Sequence, residues 1–318
     1  MIKAMLLHLG SNMWRKKGCE NIKHHADSIY RDFLYTEKDE WIKITNALAE
    51  FGFNMVLIDM GEGVQLKSHP ELAVEGSWTQ EEFLEELERL RSIGLTPIPK
   101  FNFSCGHSAW LKDYAYMVGT DIYNKVCCDV VDEVIDLFGK PEFFHLGLEE
   151  EEYSMQKNQP VAITRAPYKK REDALMLYDV CLKKGVRPWI WVDINTINAF
   201  GGKEIFIETM PKELVVSNWF YRFVSPNTIA KGEEPERFKL YEDINSWGFD
   251  QIPTSSTWSH NLNSKVTMQY CKERASESVI GYMTAPWFFT TERNHYALMN
   301  DAACFAYAWE DVYGGEDK

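Results

Sequence analysis

At 318 residues, 45% hydrophobic and 26% charged, the chain is long enough for one large buried core and too ordinary in composition for disorder, collagen-like repeats or low-complexity sequence. A net charge of −14 with no offsetting Lys/Arg stripe argues against nucleic acid and anionic membranes as partners and suits a neutral ligand. The seven Cys are odd in number and lack CxxC or Cys/His spacing, so they read as reduced, buried thiols.

Met1 to Gly10 has no small-residue cleavage site and no run reaches membrane-spanning length, so a cytoplasmic enzyme is expected unless an export signal has been removed. Those residues serve instead as a first strand, Ala4 to Leu9, followed by a long loop. A helix from about Glu40 to Phe51 follows, with Trp41, Ile44, Leu48 and Phe51 at helical spacing and Gly52 closing it. Strand two is Asn54 to Ile58. Thr79 and Glu82 then cap a helix running to Ile93. Strand three is Thr96 to Phe103, with a helix from Ile122 to Phe138. Strand four is the run Phe143-Phe144-His145-Leu146-Gly147, which passes straight into Leu148 and four carboxylates, Glu149 to Glu152. The bland alternative for those acids is the solvated first turn of a helix.

The period continues without a break. A helix from about Arg171 to Lys184 precedes strand five, Arg187 to Asp193. A helix near Lys203 to Thr209 precedes strand six, Leu214 to Tyr221. The helix Pro235 to Trp247 leads to strand seven, Phe249 to Ser255, and the helix Asn263 to Ser276 to strand eight, Val279 to Trp287. A last apolar helix spans Asn294 to Val312. Eight strand–helix pairs predict an α/β fold, a (β/α)8 TIM barrel, as a single domain over residues 1–318. No Gly-rich nucleotide motif appears, and no cofactor or metal is expected.

Barrel sites lie at the carboxyl ends of the strands. Strand one offers His8, Asn12 and Trp14 there, strand two Asp59 and Glu62, and strand three Lys100, Asn102 and His107. Strand four gives Glu149 and Glu150, strand five Trp191 and Asp193, and strand six Asn218, Trp219 and Tyr221. Strand seven gives Ser255, Thr257, Trp258 and His260, and strand eight Thr284 and Trp287. Aromatic faces among carboxylates and amides are the mix that stacks on and hydrogen-bonds a sugar, although large aromatics can also merely plug a barrel mouth. Glycoside hydrolysis usually needs two carboxylates, yet strand seven ends without one. The second group must then come from strand four itself, from Asp193 or from the substrate, since an acetamido oxygen can replace the enzyme nucleophile.

Several runs resemble the family 20 glycoside hydrolases, the β-N-acetylhexosaminidases. His69-Pro70-Glu71-Leu72, Trp78-Thr79-Gln80-Glu81-Glu82, Ile98-Pro99-Lys100-Phe101-Asn102 and Gly106-His107 occur in that family's motif order. His145-Leu146-Gly147-Leu148-Glu149-Glu150 is similar to its His-Ile/Leu-Gly-Gly-Asp-Glu signature. Trp191-Val192-Asp193 and Trp287 resemble its motifs on strands five and eight. The resemblance implies Glu150 as general acid/base, Glu149 as the group orienting the acetamide, and His107 as a relay toward the acid. From the strand ends, Asp59, Glu62, Lys100, Asn102, Trp191, Asp193, Trp219, Tyr221, Trp258 and Trp287 are the expected carbohydrate contacts. A second carboxylate nearby, in a mouth dried by Trp, would raise the pKa of the acid. Departures from the family are the longer Glu149, Leu148 in place of Gly, Asn102 and Lys100 in place of acids, and no Arg after strand one unless Arg15 reaches in.

Two rival readings remain. A metal-dependent barrel hydrolase would need His-x-His on strand one and His ligands on strands five and six, which are absent, and His145 within an apolar strand suits a hydrogen-bonded core role. A non-catalytic carbohydrate-binding barrel would keep the Trp residues without a poised acid.

Overall fold

A computed structural model describes residues 1–19, 28–157, 159 and 161–314; residues 20–27 of the long loop after strand one lie outside that description. The strands are β1 (Ile2–His8), β2 (Met55–Asp59), β3 (Thr96–Lys100), β4 (Phe143–His145), β5 (Arg187–Trp191), β6 (Val215–Ser217), β7 (Asp250–Gln251), β8 (Thr254–Ser255) and β9 (Gly281–Thr284). All neighbouring pairs are parallel, in the order β7-β6-β5-β4-β3-β2-β1-β9-β8.

β7 and β8 are two halves of the predicted seventh strand. Pro253 lacks the N–H that a continuous ladder requires and interrupts them. β7 pairs with β6 and β8 with β9, while bridges Trp219↔Thr254 and Gln251↔Val279 carry each half to the opposite neighbour. The ring therefore closes as an eight-stranded barrel, and its edges are abolished. At the break the Ile252 carbonyl accepts from Ser217 Oγ (2.6 Å), which in turn accepts from the Trp189 indole N–H (2.7 Å). The polar tip of a fully buried Trp is thus satisfied inside the ring.

Side chains alternate across each strand. Ala4, Leu6, Met55, Leu57, Ile98, Phe143, Trp189 and Val215 fill the interior, whereas Met5, Leu7, Val56, Ile58 and Ile190 face the helices. The helices are α1 (Lys38–Glu50), α2 (Gln80–Ser92), α3 (Asp121–Leu137), α4 (Tyr153–Gln156), α5 (Pro167–Lys183), α6 (Ile194–Ala199), α7 (Lys203–Thr209), α8 (Pro226–Ala230), α9 (Glu236–Asn245), α10 (Asn263–Arg274) and α11 (His295–Tyr313). The predicted capping box is present: Thr79 Oγ1 accepts from Glu82 N, and Glu82 Oε2 from Thr79 N at 2.9 Å. α11 returns against α1, where His295 Nδ1 meets the buried Glu40 carboxylate.

The short helices α4, α6 and α8 were not expected. Asp193 nucleates α6 by accepting the Thr196 N–H at 2.7 Å, and Ser225 caps α8. Regular pairing in strands three, six and eight ends earlier than their apolar runs, although single ladder bonds continue beyond it, such as Phe101 N to the His145 carbonyl (2.9 Å) and Phe103 N to that of Leu146 (3.1 Å). Among the described residues no helix is long and apolar enough to cross a membrane, and all seven cysteines are free.

Candidate active site

The period of two carries the inward-facing rows to the carboxyl ends of the strands. His8, Asp59, Lys100 and His145 stand in adjacent register there. Asp59 Oδ2 lies 2.7 Å from Lys100 Nζ and 3.0 Å from His8 Nδ1, all three groups being buried. Burial alone would raise the Asp59 pKa, but the Lys100 charge and the His8 contact outweigh it and hold the carboxyl well below its usual range. His145 is pushed far down by burial and by Lys100, and its neutral Nδ1 accepts the Gly147 N–H at 3.1 Å. Asp59 and Lys100, expected as sugar contacts, thus neutralise one another under the mouth.

Above this layer the chain does something a regular strand cannot. Adjacent strand residues point to opposite faces, so Glu149 and Glu150 would normally diverge. Gly147, Leu148 and Glu150 adopt φ of 72°, 73° and 52°, and this left-handed bend turns both carboxyl groups onto one imidazole. His107 Nδ1 is 3.2 Å from Glu149 Oε1, and its Nε2 is 3.0 Å from Glu150 Oε2. For the two non-glycine residues the conformation costs on the order of 1 kcal/mol or more each, the kind of strain that accumulates at functional sites.

Close packing holds the bend. A Cβ on Gly147 would fall 2.4 Å from Asn102 Oδ1, and one on Gly106 would fall 2.3 Å from the Glu150 carbonyl oxygen. Asn102 Nδ2 donates to Glu149 Oε1 at 2.8 Å, whereas Glu149 Oε2 is buried without a partner among the described residues. The sequence suggests two carboxylates side by side; in the structure each meets a different nitrogen of the one imidazole. Burial lowers the His107 pKa, but the hydrogen bonds and charges of Glu149 and Glu150 prevail and raise it to about 9. His107 is therefore an imidazolium at neutral pH.

Glu151, the next acid of the run, turns away from His107. Glu151 is buried against Arg165, with Arg165 Nε 3.2 Å from Oε2, and Arg165 Nη1 continues to Asp173 at 3.2 Å. Burial would raise the Glu151 pKa, but Arg165 and Lys170 lower it. This network staples the loop behind the acids. Arg165 carries no local signal, being 14 residues from its partner. Glu62 is likewise occupied: its carboxylate accepts from Ser11 N (2.7 Å), Ser11 Oγ and Asn12 N and fixes the loop after β1. Asp193 caps α6 and faces Arg237 at 3.6 Å. Arg15 bonds Ser28 Oγ and the Cys19 carbonyl within its own loop.

Aromatic rings roof the acids. Trp287, at φ 58°, has ring centroids 5.9 Å from Trp191, 5.9 Å from His8, 6.4 Å from Trp14 and 6.5 Å from Tyr221. Trp14 meets His107 edge-on at 6.2 Å, and Trp219 stacks on Tyr221 at 5.3 Å. Trp191 is buried, while Trp14, Trp219, Tyr221, Trp287 and Glu150 keep partial exposure and form the outer ring. Burial, then the charges of Glu150 and Glu149, push the Tyr221 phenol far up, so it remains a hydroxyl donor. Trp258 is 48% exposed and lies against Phe288, apart from this group. Trp14 belongs to the site although only its place at a strand end marked it. The seventh strand delivers hydroxyls: Thr257 N and Oγ1 donate to Asp301 of α11 at 2.6 and 2.7 Å.

By sequence the chain matches no protein-family model and no curated protein. By structure it resembles the β-N-acetylhexosaminidase of Bacteroides fragilis over 95% of this chain and 65% of that one, with TM-score 0.61 at 14% identity. It resembles a family 20 exo-β-N-acetylglucosaminidase from Vibrio harveyi, solved with N-acetylglucosamine, over 95% of this chain and 54% of that one, with TM-score 0.62 at 14% identity. The pneumococcal virulence factor StrH matches over 98% of this chain and 84% of that one, with TM-score 0.60 at 15% identity. The fold is shared with family 20 glycoside hydrolases. The chain spans just under two thirds of the Bacteroides protein and about half of the Vibrio one. At such identities the likeness establishes the barrel and leaves the chemistry to the residues of the site.

Proposed function

We propose that this chain is a glycoside hydrolase acting on N-acetylhexosamine-containing glycosides, retaining and substrate-assisted. The observation that carries the reading is the Glu149–His107–Glu150 cluster under an aromatic roof at the carboxyl end of the barrel. Glu150, the acid with partial exposure, enters the reaction protonated on Oε1, with Oε2 on the His107 N–H, and gives that proton to the glycosidic oxygen as the C1–O bond breaks. The acetamido carbonyl oxygen of the same sugar forms the new bond to C1, and Glu149 Oε2 receives the acetamide N–H. Glu150 then takes a proton from water, which opens the cyclic intermediate from the same face. His107 Nε2–H donates to Glu150 Oε2 and steadies its charge after proton transfer. The lack of a carboxylate from strand seven fits a nucleophile supplied by the substrate.

The test compares wild type with Glu150→Gln on aryl N-acetylglucosaminides and N-acetylgalactosaminides of graded leaving-group pKa, beside plain glucosides. Glu150→Gln is expected to lose about 10²–10⁴-fold on poor leaving groups and much less on dinitrophenol. Equal turnover of the plain glucoside would eliminate the acetamide as nucleophile. Binding of amino sugars without turnover of any glycoside would favour the carbohydrate-binding barrel.

A further inference from the structure

The aromatic surface continues outward from the roof. Beyond Ser217 the chain carries an aromatic at every second position, Trp219, Tyr221 and Phe223. Trp219 stacks on Tyr221, with 26° between the ring planes, and Tyr221 reaches Trp287. Phe220 turns the other way, onto Phe238 of α9 at 5.7 Å. Burial, and then the charge of Glu150, push the Tyr221 phenol up, which sets this ring beside the acid. Phe223, next along, is 40% exposed and stacks on His260 at 4.4 Å, with 25° between the planes. A second exposed ring, Trp258, lies 5.8 Å from Phe288, the residue after Trp287.

These rings stand on a built support. Asn263 is buried, and its Nδ2 donates to the carbonyls of Phe220 (2.8 Å) and Arg222 (3.2 Å) while its Oδ1 accepts the Ser256 N–H (3.0 Å). Ser259 Oγ donates to the Tyr221 carbonyl. The loops after β6 and β8 are thereby tied into one ledge, which presents its rings without rearrangement. Neutral polar groups lie among them: Asn300 Nδ2 donates to Asn261 Oδ1 at 3.2 Å, and His260 Nδ1 accepts the Leu262 N–H at 3.1 Å, so the ring hydrogen belongs on Nε2, where a hydroxyl can accept it. Exposed rings clustered among such groups beside a cleft mark a ligand surface, and this mixture suits the C–H faces and hydroxyls of sugars.

Glu150 protonates the oxygen that joins the cleaved sugar to its leaving group, so the leaving group lies outside the pocket. One that runs from Glu150 past Tyr221 meets Phe223 and His260. We propose that this ledge, Phe223 and His260 with Trp258, binds the leaving-group side of the substrate, and that the chain takes neutral oligosaccharides whose sugars beyond the cleaved bond lie on it. The proposal rests on the glycosidase reading for which bond is cleaved, and on the supported, exposed rings for the binding itself.

The experiment measures by calorimetry the affinities of N-acetylglucosamine and of its β-1,4-linked dimer and tetramer. The protein is Glu150→Gln, which turns them over slowly, with and without Phe223→Ala and Trp258→Ala. The tetramer is expected to bind about tenfold or more tighter than the monosaccharide, and each ring substitution to cut that ratio about fivefold. Melting temperatures should barely move, because both side chains are exposed. Equal affinities at all lengths, or a ratio unmoved by both substitutions, would overturn the proposal. So would a dimer in sedimentation that either substitution dissociates, which would make the ledge a face for a second copy of the chain. Monosaccharide binding without a gain from length overturns the ledge alone. A gain from length with no turnover of any glycoside by wild type supports the ledge and overturns the glycosidase reading, and no binding at any length overturns both.

Discussion

Gly106→Ala tests whether the bend after β4 sets the acids. The new methyl would lie 2.3 Å from the Glu150 carbonyl oxygen, where ordinary contact begins near 3.4 Å, so about 1.1 Å must be found. Little can move freely: Glu150 is already at φ 52°, and its neighbour Glu151 is clamped by Arg165. The displacement falls on the His107 Nε2···Glu150 Oε2 contact, stretching it from 3.0 Å to roughly 4 Å, beyond hydrogen bonding. Overpacking of this kind costs about 1–3 kcal/mol of stability. A 1 Å misplacement costs about 10²-fold in turnover. With one partner withdrawn, the His107 pKa should fall below its value of about 9. Thermal melts, a ¹⁵N titration of the imidazole and kcat on an aryl N-acetylglucosaminide measure the three effects. A Gly106→Ala protein with an unchanged melting temperature and an unchanged His107 midpoint would refute the reasoning, whatever its activity.

His107, raised from 6.5 to about 9, contributes stability that is fully present below pH 6.5 and lost as pH rises through 9; melts of wild type should decline across that window, and those of His107→Gln should be flat there. Lys100→Met leaves Asp59 buried with only His8, so about 3–5 kcal/mol should be lost at pH 7. Because the ion pair lowers the Asp59 pKa, its contribution exists above the unfolded value and fades as pH falls, so the two melting curves should converge in acid; equal melts at pH 7 would remove the pair from the energetics. Trp287→Ala removes the centre of the aromatic roof and should weaken amino-sugar binding about fivefold or more by calorimetry, at about 1 kcal/mol per stacking ring; unchanged affinity would make the roof a plug.

The sequence by itself determined the barrel. Apolar runs of strand length alternate with helical periods eight times, and Thr79, Glu82 and the closing glycines punctuate them, so local chemistry and global fold agree. The strand ends also placed His107, Glu149, Glu150, Trp191, Tyr221 and Trp287 at one mouth, because in a parallel ring only those ends converge. Which side chain faces which partner was not legible. Period two sends Glu149 and Glu150 to opposite faces, and only the left-handed bend at Gly147, Leu148 and Glu150 brings them together. That bend is fixed by contacts between residues over 40 positions apart, Gly106 under Glu150 and Asn102 beside Gly147, whose pairing no local pattern encodes. Likewise the tertiary fold alone diverted charges that looked available: Asp59 to Lys100, Glu62 to the β1 loop, Glu151 to Arg165 and Asp193 to the start of α6. Buried charges must be paired wherever the chain finds a partner, and that search runs through space rather than along the sequence.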